Sequence, residues 1–348
     1  MQHRAFRVAS RLNKRLPALP YKPARQVNLA CTANMTKRQI CLGFACLLLG
    51  SSGAGCHIMH AHHCCVATAQ GFSDDWYAPQ FVQFTNFTKR LVLCSSNGSM
   101  ARSDQLTPPV LLLHEMPGLT RQCLILATNL AAQGFKVYVP LMFGVPDVHT
   151  RYAGAWNDLH LMVFGSGWHV YRKSQTPRIV NDLRDLIKEI ERVNRTNSIG
   201  VIGMCLSGSL PLALLSERSV RAVVLSQPAI PFLRSSQEEA ALGLSPEDLF
   251  VATNRVAFEK IPIMALRFET DLICQKRRFD TLKYELGTNF VDLTIPLKEY
   301  NADMLKDGHP HAVLTQWYCG VTNSATRSRF EKVVEYLHDR LDQKQRNP

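Results

Sequence analysis

From about residue 107 to residue 341, short apolar runs alternate with stretches whose apolar residues recur at helical spacing. Pro109-Val-Leu-Leu-Leu113, Phe135-Lys-Val-Tyr-Val139, Ser198-Ile-Gly-Val-Ile202, Ala222-Val-Val-Leu225, Pro262-Ile-Met-Ala-Leu266 and Phe290-Val-Asp-Leu293 are the apolar runs. Runs of this length without polar alternation suit strands buried on both faces, as in a parallel sheet. Helices are expected between them at about 121–133, 179–193, 210–217, 235–260, 277–286 and 327–341. In the last of these, Phe330, Val333, Val334, Leu337 and Leu341 share one face. Such alternation builds a mostly parallel sheet covered by helices on both faces. Right-handed crossovers then bring every strand's C-terminal end to one edge, where sites form. The chain contains neither Gly-x-x-x-x-Gly-Lys-Ser/Thr nor Gly-x-Gly-x-x-Gly, so a P-loop or dinucleotide site has no support.

The formal charge of +12 would suggest a nucleic-acid partner, but it is unevenly placed. Residues 1–38 hold nine Lys or Arg and no acid, and the first acid in the chain is Asp74. The rest carries 31 bases against 28 acids, too balanced for a broad DNA or RNA footprint. Six of the eleven cysteines also fall in the first 65 residues, and the five in the body show no disulfide spacing. Lys37 and Arg38 precede a ten-residue apolar run, Ile40–Leu49, followed by the small residues 50–55. That is the order of a secretory signal, and the run is short for a membrane span. Residues 1–70 therefore read as a non-globular leader for export or membrane attachment. An organelle transit segment, a cytoplasmic extension, and a true start at Met35 are the competing readings. Cys56, His57, His60, His62, His63, Cys64 and Cys65 carry soft metal-ligand chemistry, but match no zinc-finger spacing.

The strongest chemical signal is Gly203-Met-Cys205-Leu-Ser-Gly208, directly after the run ending at Ile202. Small residues around a central nucleophile allow a sharp strand-to-helix turn that lifts its side chain above the sheet edge. Backbone N–H groups there can stabilise an oxyanion, and the following helix dipole favours a thiolate. The competing reading is an inert buried cysteine beside a tight turn.

With these residues in view, the chain resembles the dienelactone hydrolase family of the α/β-hydrolase fold. Its elbow, Gly-x-Cys-x-Gly-Gly, is matched at 203–208 with Ser207 in place of one glycine. Its glutamate turn is similar to Leu113-His-Glu115-Met-Pro-Gly118, and the passage 131–144 resembles its next helix-to-strand segment. The likeness spans about residues 107–345. It implies a Cys–His–Asp triad with Cys205 as nucleophile. The acid should follow the run at 262–266, where Asp271 fits and Glu269 competes. The base should lie in Asp307-Gly-His309-Pro-His311-Ala-Val-Leu314. His311, followed by a small and then an apolar residue, is preferred; His309, preceded by glycine, is the alternative. Glu115 is implied to take part in generating the thiolate, and the backbone N–H groups of Met116 and Leu206 to form the oxyanion hole.

The resulting expectation is one α/β-hydrolase domain over 71–348 that cleaves a small carboxylic ester or lactone through an acyl-thioenzyme. The chemistry needs no metal or organic cofactor, and the oligomeric state is open. Rival readings are a non-catalytic binding protein on the same fold, for which Ser207 speaks, and a peptidase or acyltransferase. Tyr152, Trp156, Trp168 and Tyr171 are candidate pocket walls, and Arg151 and Arg172 candidate carboxylate binders. Asn86, Asn97 and Asn194 begin glycosylation sequons that chance also explains. A chain truncated to begin at residue 71 is expected to fold and to keep its activity. Loss of cooperative melting by circular dichroism, or of ester turnover, would show that the leader packs as structure.

Overall fold

The computed structural model describes residues 80–84, 87–94, 107–116, 118–143, 175–230 and 239–342. The leader, its His/Cys tract, and the aromatic and arginine candidates between 151 and 172 lie outside these residues, as do Asn86 and Asn97. Eight strands among the described residues form one sheet in the order β1-β2-β4-β3-β5-β6-β7-β8. The strands are β1 (Gln80–Phe84), β2 (Phe87–Cys94), β3 (Pro109–Leu113), β4 (Lys136–Pro140), β5 (Ile199–Met204), β6 (Val220–Ser226), β7 (Ile263–Leu266) and β8 (Phe290–Asp292). From β3 to β8 all neighbours are parallel. The β1–β2 hairpin is antiparallel and joins through β2 to β4. The apolar-run pattern did not reveal this hairpin. The two strands carry polar residues within them, and their one continuous apolar stretch, Leu91-Val-Leu-Cys94, is short.

The helices are α1 (Arg121–Ala132), α2 (Ile179–Asn194), α3 (Leu210–Ala213), α4 (Pro246–Glu259), α5 (Lys276–Leu286), α6 (Ala302–Asp307) and α7 (Ala325–Leu341). Several start where a short polar side chain can accept from an otherwise unpaired N–H. Thr120 caps α1, Ser245 caps α4 just before Pro246, and Ser324 caps α7. α2 and α4 end on Arg195 and Lys260 in the left-handed conformation. The helix expected at 210–217 is only one α-turn followed by a 3-10 turn, Leu214–Ser216. Of the expected helical span 235–260, residues 235–238 lie outside the described residues, 239–240 are helical, and α4 begins at Pro246 after the cap at Ser245. Asn194, the first residue of a sequon, is half-buried at the end of α2. It donates to Tyr138 Oη at 2.9 Å and to the Ile190 carbonyl at 2.7 Å.

The sheet alternates between two cores. Leu111, Leu113, Val201, Val223 and Leu225 face α2, α4 and α5. Val110, Leu112, Ile202, Ala222 and Val224 face α1 and α7. Burial of one such Leu, Ile or Val contributes about 1.5–3 kcal/mol, so the two layers dominate stability. Tyr336 stitches α7 to the sheet by accepting from the Val223 N–H at 3.0 Å and donating to the Pro262 carbonyl at 2.5 Å.

Register decides where side chains meet. Leu113 pairs with Gly203, Gly203 with Leu225, and Leu225 with Ala265. One level therefore runs across the C-terminal edge of four strands. Two residues beyond it stand Glu115, Cys205, Gln227 and Arg267, each on a different strand end.

Candidate active site

β5 runs to Met204, so Cys205 follows the strand without a spacer. Cys205 has φ +48°, a left-handed conformation that costs a side-chain-bearing residue about 1–3 kcal/mol. Its neighbours explain why it is tolerated. A Cβ on Gly203 would lie 2.4 Å from the Ser207 carbonyl oxygen, and one on Gly208 would lie 2.4 Å from Pro228 Cα. Glycine at both positions lets the turn fold tightly back on the strand. The Cys205 carbonyl accepts from Gly208 N at 2.8 Å and from Ala229 N at 2.9 Å, closing the elbow against the loop after β6.

Ser207, where the sequence departs from the glycine pattern, has a function in this turn. Its hydroxyl accepts from Met204 N at 3.1 Å and lies 3.0 Å from the carbonyl oxygens of Leu113 and His114. A side chain fully buried at this point thus ties the elbow to the glutamate turn. The departure adds a link between two site segments rather than removing one.

The glutamate turn is shaped by His114. Its Nε2 must accept, because Met142 N donates to it at 3.0 Å. The proton therefore sits on Nδ1, which donates to the Glu115 carbonyl at 3.1 Å. Burial pushes this imidazole down to about 4, so it is neutral near pH 7. Gly118 N also donates to the Glu115 carbonyl, at 2.9 Å.

Asp271 and His311 lie side by side: Nδ1 of His311 is 2.7 Å from Asp271 Oδ2. Oδ1 of Asp271 accepts from Ile273 N at 2.8 Å and Cys274 N at 2.9 Å, so the carboxylate is fixed on both sides. Burial opposes charge on His311, but Asp271 and then the neighbouring Cys205 sulfur hold its pKa well above the ordinary value. Its Nε2 is buried and bonds to no nitrogen or oxygen of the protein. His309 lies elsewhere: it is exposed, and its Nδ1 is 2.9 Å from the Thr270 carbonyl. Glu269 is also outside the pair, accepting from Leu297 N at 2.6 Å. The backbone N–H groups of Met116 and Leu206 belong to the residues directly after Glu115 and Cys205, beyond the ends of β3 and β5.

Both oxygens of Glu115 are occupied. Thr315 donates its hydroxyl to Oε1, and Gln227 Nε2 donates to Oε2 at 3.1 Å. Burial raises the pKa of this carboxyl, and the two donors and His311 lower it without reversing the shift. A buried unpaired carboxylate costs several kcal/mol, while each donor to a charged group returns about 1.5–3 kcal/mol, so partial compensation is the expected outcome. Gln227 and Thr315 were not apparent from sequence. The available hint is a polar pair, Ser226-Gln227, ending an apolar run on the edge that carries the other residues. A buried cation, Arg278, donates to the Ala241 carbonyl at 2.7 Å and the Pro228 carbonyl at 3.1 Å, bracing the loops around the site. Arg267 does the same for the acid loop, donating to the carbonyls of Cys274 and Glu269, each at 2.9 Å.

A parallel sheet with a strained cysteine elbow and a buried carboxylate–imidazole pair on its C-terminal edge defines an α/β-hydrolase. The model of the dienelactone hydrolase family matches residues 97–302, more than half of the chain, and the protein belongs to that family. It is a hydrolase. Among solved structures, the chain is similar to a dienelactone hydrolase-like promiscuous phosphotriesterase from metagenomic libraries, at 14% identity and TM-score 0.46, over 75% of this chain and 98% of that one. It is similar also to a cold-adapted esterase from an Arctic intertidal metagenomic library, at 15% identity and TM-score 0.44, over 76% and 92%. A puromycin hydrolase matches at 13% identity and TM-score 0.49, over 76% of this chain and 39% of that one. Curated proteins include no match to the chain.

The raised Glu115 pKa sets a stability test. Folding favours its protonated form, so this group penalises the fold increasingly as pH rises from the ordinary glutamate value, about 4.3, toward the raised one. Glu115→Gln removes that penalty and keeps the shape. Its melting temperature is expected to match the parent's at low pH and to exceed it increasingly as pH rises. A constant gap across pH would show that Glu115 is not perturbed.

Proposed function

We propose that the protein hydrolyses a small carboxylic ester or lactone, with Cys205 as nucleophile, His311 as base and Asp271 as its orienting acid. The observation that carries this reading is the 2.7 Å Asp271–His311 bond, whose imidazole leaves a buried Nε2 with no nitrogen or oxygen partner beside Cys205. In this mechanism the Cys205 sulfur attacks the carbonyl carbon while Nε2 takes the thiol proton. Asp271 holds the proton on Nδ1 and stabilises the imidazolium. The Met116 and Leu206 N–H groups receive the oxyanion. Collapse expels the alcohol, which takes its proton from His311 and leaves an acyl-thioenzyme. Water, deprotonated by His311, then releases the acid and the free thiol. Glu115 faces the same imidazole and contributes to the charge balance as the thiolate forms.

The two loop histidines separate by mutation. His311→Ala is expected to lower kcat for a p-nitrophenyl ester by roughly 10³-fold or more, the usual cost of losing a triad base. His309→Ala is expected to cause only a modest loss, because its ring supports the Thr270 carbonyl next to the acid. The reverse ranking would move the base to His309.

The nucleophile is tested by labelling. Substoichiometric iodoacetamide at neutral pH should modify Cys205 ahead of Cys94, Cys123, Cys274 and Cys319, with activity falling in step. Cys274 is a poor competitor, since burial and then the Asp271 charge push its thiol pKa up. A small ester that traps the acyl adduct, mapped by mass spectrometry, guards against slow entry of the reagent. Cys205→Ala should abolish labelling and turnover together. Parent-like hydrolysis by Cys205→Ala would sink the reading and favour a protein that only binds its ligand.

A further inference from the structure

We propose that Gln227 is a positioning residue, whose single primary amide holds the Glu115 carboxyl and the base-bearing loop in one geometry. This rests on the assignment of His311 as the base. Gln227 is fully buried at the end of β6, with φ +34° and its N–H donated to the Leu266 carbonyl at 2.6 Å. Its amide orientation follows from its partners. Val313 N–H lies 3.3 Å from Oε1 and requires an acceptor, so Nε2 is left to donate to Glu115 Oε2 at 3.1 Å. The Ser226 hydroxyl also donates to Oε1.

The geometry makes a closed frame. Thr315 reaches Glu115 Oε1 from the same loop that supplies Val313 and His311. Glu115 is thereby strapped to that loop directly through Thr315 and indirectly through Gln227. Asp271 holds the imaginary front of the frame through the His311 ring at 2.7 Å, while these two straps hold the loop from the sheet side. A wrongly placed loop would break three bonds at once, two of them to a buried carboxyl. Buried polar groups left unpaired are costly, so a frame of this kind selects one position. The charged group facing Glu115 is His311, from the loop after α6. His114 on its own turn is neutral, and Asp271 and Cys205 act on His311.

The test compares Gln227→Leu, Glu115→Gln and their double variant, with two readouts. The first is kcat and KM for p-nitrophenyl acetate. The second needs no turnover: the infrared band of the protonated carboxyl, assigned to Glu115 by its loss in Glu115→Gln, followed across pH. Gln227→Leu is expected to lower kcat roughly ten- to hundred-fold with KM within about two-fold, as for loss of a hydrogen bond to a charged group. The band midpoint should move to higher pH, because one donor to the carboxylate is gone. The double variant should lie within about two-fold of Glu115→Gln alone, since the two residues act as a unit. An unmoved midpoint, or losses that add in the double variant, would overturn the proposal. Should Gln227→Leu fail to fold, Gln227→Glu decides. A carboxyl can replace the amide donor only while protonated, so its activity should fall as pH rises where the parent's does not. A parent-like pH profile there would also overturn it. If the parent itself shows no turnover, the esterase reading fails, and the infrared midpoint still decides the role of Gln227.

Discussion

The left-handed backbone at Cys205 is the constraint on which the site depends. It is unfavourable in isolation and persists because the surroundings over-determine it. Glycines on either side admit the Ser207 carbonyl and Pro228 at distances that no Cβ would allow. The Cys205 carbonyl is bonded twice, and the Ser207 hydroxyl locks the turn to the neighbouring strand end. The backbone geometry thus fixes the position of the Cys205 side chain at the sheet edge, beside His311.

Around that point the protein buries several ionisable groups. Asp271 is satisfied by two backbone amides and one imidazole. Glu115 is satisfied by a hydroxyl and an amide. These donors oppose the cost of burial without removing it, and Glu115 remains harder to ionise than an exposed glutamate. His114 shows the other solution: a buried imidazole kept neutral, with each nitrogen given one partner of the right polarity. Its task is to shape the turn and not to carry charge.

Much of this was legible in the chain itself. Apolar runs located the central strands, because residues buried on both faces leave an uninterrupted pattern. The cysteine elbow was legible because small residues beside a nucleophile have few other uses at a strand end. The choice between His309 and His311 was open to pattern and resemblance, and the Asp271 contact is what distinguishes their environments. The β1–β2 hairpin was missed because Gln80, Gln83, Thr88, Lys89 and Arg90 interrupt its strands and leave only the short apolar stretch 91–94. The shortness of α3 was missed because apolar spacing alone does not reveal where the chain must turn back into β6.

By itself, then, the sequence determined the layered α/β architecture, the order of the six parallel strands along the chain, and the types of residue at their ends. Those are local properties, set by periodicity, by glycine and proline, and by apolar content. Only the tertiary structure decided which strand ends lie side by side, and hence that Glu115, Cys205 and Gln227 share a level, with Thr315 and Val313 reaching them from a distant loop. Register is a relation between segments far apart in the chain. No spacing within one segment encodes it, and a glutamine after an apolar run looks like an ordinary turn residue until its amide is seen between a carboxyl and a backbone N–H.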